Sequence, residues 1–425
     1  MSETEHVSSP RDTSARFPGR AQSPLFLPML VLAYLGTALA VLSAGFVSIP
    51  LRLSELDPAG KSQTLSLIVA VGGIVIILVS APLGRISDVS TARAGIRRPF
   101  ILGGAMVGVL GMLVLAFAAS VPVIVAGWAV TQAGFGATTM ALNALLAEQI
   151  PARVRARVAA AFGMSTALAP ALGSWLVGAV PGDPRYWFGV PGVLGLLADI
   201  GVVVVLRDIV RTEPVAVGWR SLARSYWINP VRHRDFAWAW LCRLLVTMSL
   251  VSVATYLLYL LTDRLGLTPA EATTTQGAVI GAMFAASVLT SVAFSWISDR
   301  TGRRKPIVYT SALFSGVGLL VAMSAHEPTV FVIGIALVGM GQGAFVCVDV
   351  AMMTELLPDS ADTGAGAGLA VIALSYQLPQ LLLPVLATPL LGLGDSGPNY
   401  TALFIGAIVA IVLGGLAALP IKSVR

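Results

Sequence analysis

GRISDVSTARAGIRRPF, Gly84 to Phe100, sets five charged residues (Arg85, Asp88, Arg93, Arg97 and Arg98) between two long apolar runs. Charge is scarce in this chain, 11% of residues against 56% hydrophobic, so its concentration here needs a cause. Apolar runs of about 18 to 25 residues have the length of helices that cross a bilayer. Outward from this stretch, twelve such runs are expected: 25–49, 64–83, 100–119, 122–146, 155–180, 188–207, 236–261, 275–296, 306–325, 329–352, 364–392 and 400–420. The chain therefore reads as an all-α membrane protein.

An even number of spans puts both ends of the chain on one side, and charge decides which. Of the basic residues other than Arg243, 22 fall on the side of the opening stretch and only Arg52, Lys61, Arg185 and Arg264 on the other. Lys and Arg accumulate on the cytoplasmic side of membrane proteins. Both termini are expected in the cytoplasm, residues 1–24 as a disordered tail, and the chain in the cell membrane. A net charge of +6 then reflects lipid headgroups and topology rather than nucleic acid. The longest loop, 208–235, mixes aromatic and basic residues like a segment lying on the membrane surface. It separates two six-span halves, 25–207 and 236–425. The lone cysteines Cys242 and Cys347 support neither a disulfide framework nor a zinc site, and no cofactor or metal is expected.

The opening stretch has a second copy. SWISDRTGRRKPI, Ser295 to Ile307, repeats Ser87-Asp88 as Ser298-Asp299, Gly95 as Gly302, and Arg97-Arg98-Pro99 as Arg304-Lys305-Pro306. The acids are 211 apart and the later residues 207 apart, which marks a four-residue insertion in the first copy. A second match, GFGATTMALNALLAEQIP against GQGAFVCVDVAMMTELLP, aligns Glu148 with Glu355 at the same offset of 207. Two matches in one register predict a duplicated six-span unit, giving two pseudo-symmetric halves, a hallmark of secondary transporters.

The pattern Gly-x-x-x-Asp-(Arg/Lys)-x-Gly-Arg-(Arg/Lys) between spans two and three, echoed between eight and nine, resembles the major facilitator superfamily over almost the whole chain. The resemblance implies alternating access, with spans 1, 4, 7 and 10 lining a central cavity. It also implies that the charged loops form a cytoplasmic latch: Gly84, Asp88, Gly95, Arg97, Arg98 and Glu148 in the first half, and Asp299, Arg300, Gly302, Arg303, Arg304 and Glu355 in the second. A carboxylate at a helix end among guanidinium groups makes charge-assisted bonds that domain rocking would break.

Polar residues on the lining spans are the candidate solute contacts. Gln132, Gly136, Thr139 and Asn143 form one helical stripe, and Gln342 and Asp349 share a face seven residues apart. Tyr376, Gln377 and Gln380 follow on span 11, where Pro379, Pro384 and Pro389 are able to loosen the backbone, and Tyr34 and Thr37 lie on span 1. Amides and phenols suit a hydroxyl-rich solute. Three ionisable residues interrupt spans: Asp199, Arg243 and Asp349. Arg243 and Asp349 fall at similar depth on neighbouring lining helices, so a pair is expected, since buried charges need partners. Asp199 is the deepest acid and by depth the best proton carrier, although it lies on a supporting span.

GIRRPFI, Gly95 to Ile101, resembles the corresponding loop of plant sucrose transporters, their animal proton–sugar relatives and the glycoside–pentoside–hexuronide branch. That resemblance implies proton-linked movement of a sugar or glycoside, although spans 1 and 2 lack the buried acid of those carriers. LAPALGSW, Leu168 to Trp175, resembles instead a degraded span-five motif of proton-coupled exporters of drugs or secondary metabolites. Other classes fit poorly. DPAGKS at Asp57 lacks the leading glycine of a phosphate-binding loop, three scattered histidines make no catalytic cluster, and a non-transporting sensor would carry a large soluble domain.

Overall fold

The computed structural model describes residues 23–89, 95–208, 232–356, 367–394 and 398–421. Among them, twelve helices are long and apolar enough to cross a membrane. The first half holds α1 (Phe26–Leu56), α2 (Lys61–Val89), α3 (Arg98–Ala116), α4 (Val121–Gln149), α5 (Ala152–Ala179) and α6 (Pro184–Val205). The second holds α7 (Arg234–Thr255), α8 (Pro269–Thr301), α9 (Lys305–Ser324), α10 (Pro328–Glu355), α11 (Ala367–Leu391) and α12 (Tyr400–Ala417). The chain is a multi-pass membrane protein. Residues 1–22 and 209–231, which cover nearly all of the expected tail and central loop, lie outside the described residues, as does the inserted stretch 90–94.

The helix ends follow local chemistry. Proline occupies the first turn of α3, α4, α6, α8, α9 and α10, where its missing N–H costs nothing. Thr268 and Glu271 cap α8 reciprocally, and Gly302 ends it in the left-handed region at φ 61°, its N–H bonded to the Ser298 carbonyl at 2.8 Å. Pro379, Pro384 and Pro389, each without a backbone N–H to donate, lie inside α11, which runs from Ala367 to Leu391. Two π turns interrupt regular winding: Ala44–Ser48 inside α1, and Leu260–Arg264 beyond α7.

The duplication is visible in the packing. Helix pairs α1–α6, α3–α4, α2–α4, α3–α6 and α1–α5 recur six helices later as α7–α12, α9–α10, α8–α10, α9–α12 and α7–α11. In lipid there is no hydrophobic drive between helices, so close approach depends on small residues. On α3, Gly104, Gly108 and Gly111 sit directly against the Gly134 carbonyl, the Phe135 ring and Thr131 of α4, leaving no space for a side chain. Gly318 and Gly341 repeat that contact between α9 and α10.

We call the end carrying the arginine-rich loops the basic end and the other the far end. The halves meet through α5–α8 and α2–α11. Among the described residues, several bonds join them at the far end. Lys61 Nζ lies 2.6 Å from Asp263 Oδ1, the Tyr259 hydroxyl donates to the Pro50 carbonyl at 3.1 Å, and Gln276 Nε2 donates to the Phe46 carbonyl at 3.0 Å. Ser66 and the Tyr256 hydroxyl form a further bond, and Tyr400 donates to the free oxygen of Asp263 at 2.7 Å.

Candidate functional site

Arg243 on α7 and Asp349 on α10 meet inside the second half, with Arg243 Nη2 at 3.0 Å from Asp349 Oδ2. Asp349 is fully buried and the arginine side chain nearly so. Tyr376 on α11 completes the group. Its hydroxyl donates to the same Oδ2 at 3.2 Å, and the guanidinium carbon of Arg243 lies 3.9 Å from its ring centroid. Three helices thus contribute one residue each, so relative movement of any of them changes the contact. Tyr376 as a residue is 44% exposed. Asp349 Oδ1 and Arg243 Nε are buried without a hydrogen-bond partner. In a low-dielectric interior such unmet polar groups are costly.

Asp199 occupies a different kind of place. It is fully buried between α6 and α1, and the Thr37 hydroxyl lies 3.1 Å from each of its oxygens. Gly36 of α1 packs on Ala198 and Gly195, where an added Cβ would stand 2.8 Å from the Ala198 methyl.

The basic end of the first half holds a third charged group. Arg97 is 1% exposed. Its Nε and Nη2 grip the two oxygens of Glu148 at 3.1 and 2.5 Å, while Nη1 donates to Ser87 Oγ at 2.6 Å. Asp208, just beyond α6, accepts from the backbone N–H groups of Arg97 and Arg98 at 2.7 and 2.8 Å. A carboxylate there meets both unsatisfied donors and the positive end of the α3 dipole. Gly95, at φ 107°, leaves room for it, because a Cβ would collide with the Asp208 side chain. Arg98 reaches back to the Leu206 carbonyl. Spans two, three, four and six are tied here into one block. Asp208 had no signal in the linear pattern, since its partners lie 110 and 111 residues away.

In the second copy, Arg300 lies over the Trp296 ring at 5.1 Å, Arg303 is exposed, and Arg304 stands at the start of α9. Gly84 lies within α2, and the side chains of Asp88, Asp299 and Glu355, also expected in the latch, lie outside the described residues.

The expected solute residues divide by access. Asn143 is exposed, its Nδ2 bonded to the Thr139 carbonyl at 2.9 Å, and Gln342, Gln377 and Gln380 are half-buried. Gln132 is buried against Gly72 of α2 beside Trp128. Tyr34 stacks on Phe162 of α5 with ring centroids 3.9 Å apart.

The sequence profile of the Major Facilitator Superfamily matches residues 24–275 and 240–424. Among curated relatives, uncharacterized MFS-type transporters of two Mycobacterium tuberculosis strains are 26% identical over 161 residues, 37% of this chain. The match spans about a fifth of the length of those relatives, 22%. The fold is similar to that of a mutant nucleoside transporter NupG, with a TM-score of 0.73 at 11% identity over 93% of this chain and 99% of the other. It is also similar to the peptide transporter POT in complex with sulfate, at 0.72 and 15% over 93% and 94%. A bacterial homolog of the human lysosomal transporter Spinster, inward-facing and unoccupied, aligns at 0.69 and 13% over 95% and 96%.

Proposed function

The chain belongs to the Major Facilitator Superfamily, and from that premise we propose that this secondary transporter couples protons to the movement of a small polar solute, such as a sugar or glycoside. The observation that carries the reading is the Arg243–Asp349–Tyr376 group, where one carboxylate oxygen serves a cation and a phenol while the other has no partner. Protonation at Oδ1 cancels the charge that holds Arg243. An uncompensated guanidinium in low dielectric is expensive, so the three helices rearrange. The solute stacks on Tyr376 and bonds to the amides of Gln377, Gln380, Gln342 and Asn143. Gln132 and Tyr34 back the same cavity from the first half.

Bonds at the far end favour a state closed there. The basic end faces the cytoplasm of a cell membrane by the arrangement of arginines. The Arg97–Glu148–Asp208 block, with Asp88, Asp299 and the second-copy arginines, latches the basic end when the molecule turns outward. Asp199, buried beside Thr37, is the weaker candidate for the coupling acid.

Reconstitution into liposomes with an imposed pH gradient tests the reading. Solute-dependent proton flux that disappears in Asp349→Asn is the expected result. Flux of unchanged size in that variant overturns the assignment. Export of a drug or secondary metabolite is the second reading, carried by Pro170 and Gly173 of α5, where Gly173 abuts Ser43 of α1. A thermal-shift screen separates the two: a ligand at about 100 times its dissociation constant adds roughly 2.7 kcal/mol. Stabilisation by sugars favours the first reading, and by lipophilic compounds alone the second.

A further inference from the structure

We propose that the groove between α9 and α12 is a binding site for one anionic phospholipid, its acyl chain in the groove and its phosphate at the cations that start α9. The groove encloses about 580 Å³ and is lined by Tyr309, Leu313, Gly316 and Leu320 of α9 and by Val412 and Leu419 of α12, among others. From Tyr309 to Leu320 the helix rises about 16 Å, close to half of a hydrocarbon core of about 30 Å. The groove therefore has the depth of one leaflet.

Its floor is open because of one residue. Nothing lies within 4 Å of the place where a Cβ on Gly316 would stand. The position 207 residues earlier is Val109, whose side chain packs on the core of the first half. The duplicated halves thus differ at this point, one filled and one hollow.

The mouth of the groove is cationic. Lys305 Nζ donates to the Leu419 carbonyl at 3.4 Å, and Leu419 lines the groove. That bond is long and its acceptor neutral, so a phosphate oxygen replaces it with a shorter charge-assisted bond. Arg303, two residues before Lys305 in the chain, is exposed, and Tyr309 lines the groove. Basic pockets between helices select acidic headgroups, and a hydrocarbon chain alone selects none. The site is independent of the transported solute.

Native mass spectrometry of protein purified from membranes of mixed phosphatidylglycerol and phosphatidylcholine tests it. One phosphatidylglycerol per chain is expected to stay bound. Gly316→Leu, which fills the floor without a clash, and Lys305→Ala, which removes the ammonium, each lower that retention about tenfold. Gly103→Leu, on an open face of α3, leaves it unchanged. Equal retention of the two lipids, or undiminished phosphatidylglycerol in Gly316→Leu and Lys305→Ala, overturns the proposal. So does a loss of dimers in Gly316→Leu with lipid unaffected, since a second copy of the chain then fills the groove.

Discussion

Asp199 and Asp349 are both fully buried acids in membrane-spanning helices, one in each half, and the chain surrounds them in opposite ways. Asp199 faces a hydroxyl and a tight glycine contact between two helices. Asp349 faces a guanidinium and a phenol, and the tyrosine that carries the phenol is 44% exposed. Burial alone therefore does not tell the two acids apart. What does is the charged and aromatic company that Asp349 keeps and Asp199 lacks.

The sharpest way to break this comparison is to remove the cation. Arg243→Ala leaves Asp349 buried and uncompensated, with an expected loss of about 3 to 5 kcal/mol in thermal unfolding and no measurable transport. The double exchange Arg243→Asp with Asp349→Arg is expected to recover part of both; a double variant no better than its singles would show that the pair is not the functional unit. Next comes the block at the basic end. Glu148→Gln weakens the grip on Arg97 by about 1.5 to 3 kcal/mol, read as a lower melting temperature with slower transport and normal membrane insertion. Lys61→Ala removes a half-exposed pair worth about 0 to 1 kcal/mol, so stability should barely move. Its effect belongs in conformation: faster labelling of a cysteine placed at the far end. Asp199→Asn has the smallest expected effect on transport. An amide of the same shape still meets Thr37, so proton-driven accumulation should persist, with a stability change of about 1 kcal/mol. Loss of accumulation in that variant would return the coupling role to the deeper acid.

Much of the architecture was legible before any coordinates. Hydropathy runs and the 207-residue offset give spans and duplication because a bilayer imposes length and a repeat preserves register. The meeting of Arg243 and Asp349 was legible for the same reason: depth along a helix is read from residue counts. Contacts set by rotation about the helix axis were not. Tyr376 was grouped with the amides as a solute contact, although its hydroxyl is turned onto Asp349. Thr37 and Asp199 sit on spans far apart in sequence, and their bond depends on how Gly36 and Gly195 let α1 and α6 close. Asp208 needed the left-handed Gly95 to be seen, because only that turn aims two N–H groups at one carboxylate.

The π turn at Ala44–Ser48 has a mechanical consequence. One residue in excess of regular winding shifts the phase of everything beyond it by about 100°. Ile49–Leu56 therefore faces the second half with a side that a straight helix would turn elsewhere, and its Pro50 carbonyl lands on Tyr259. Were that extra residue to unwind, the far tip of α1 would rotate like a disengaged clutch plate. The contact between Pro50 and Tyr259 thus depends on the pitch of a single helix.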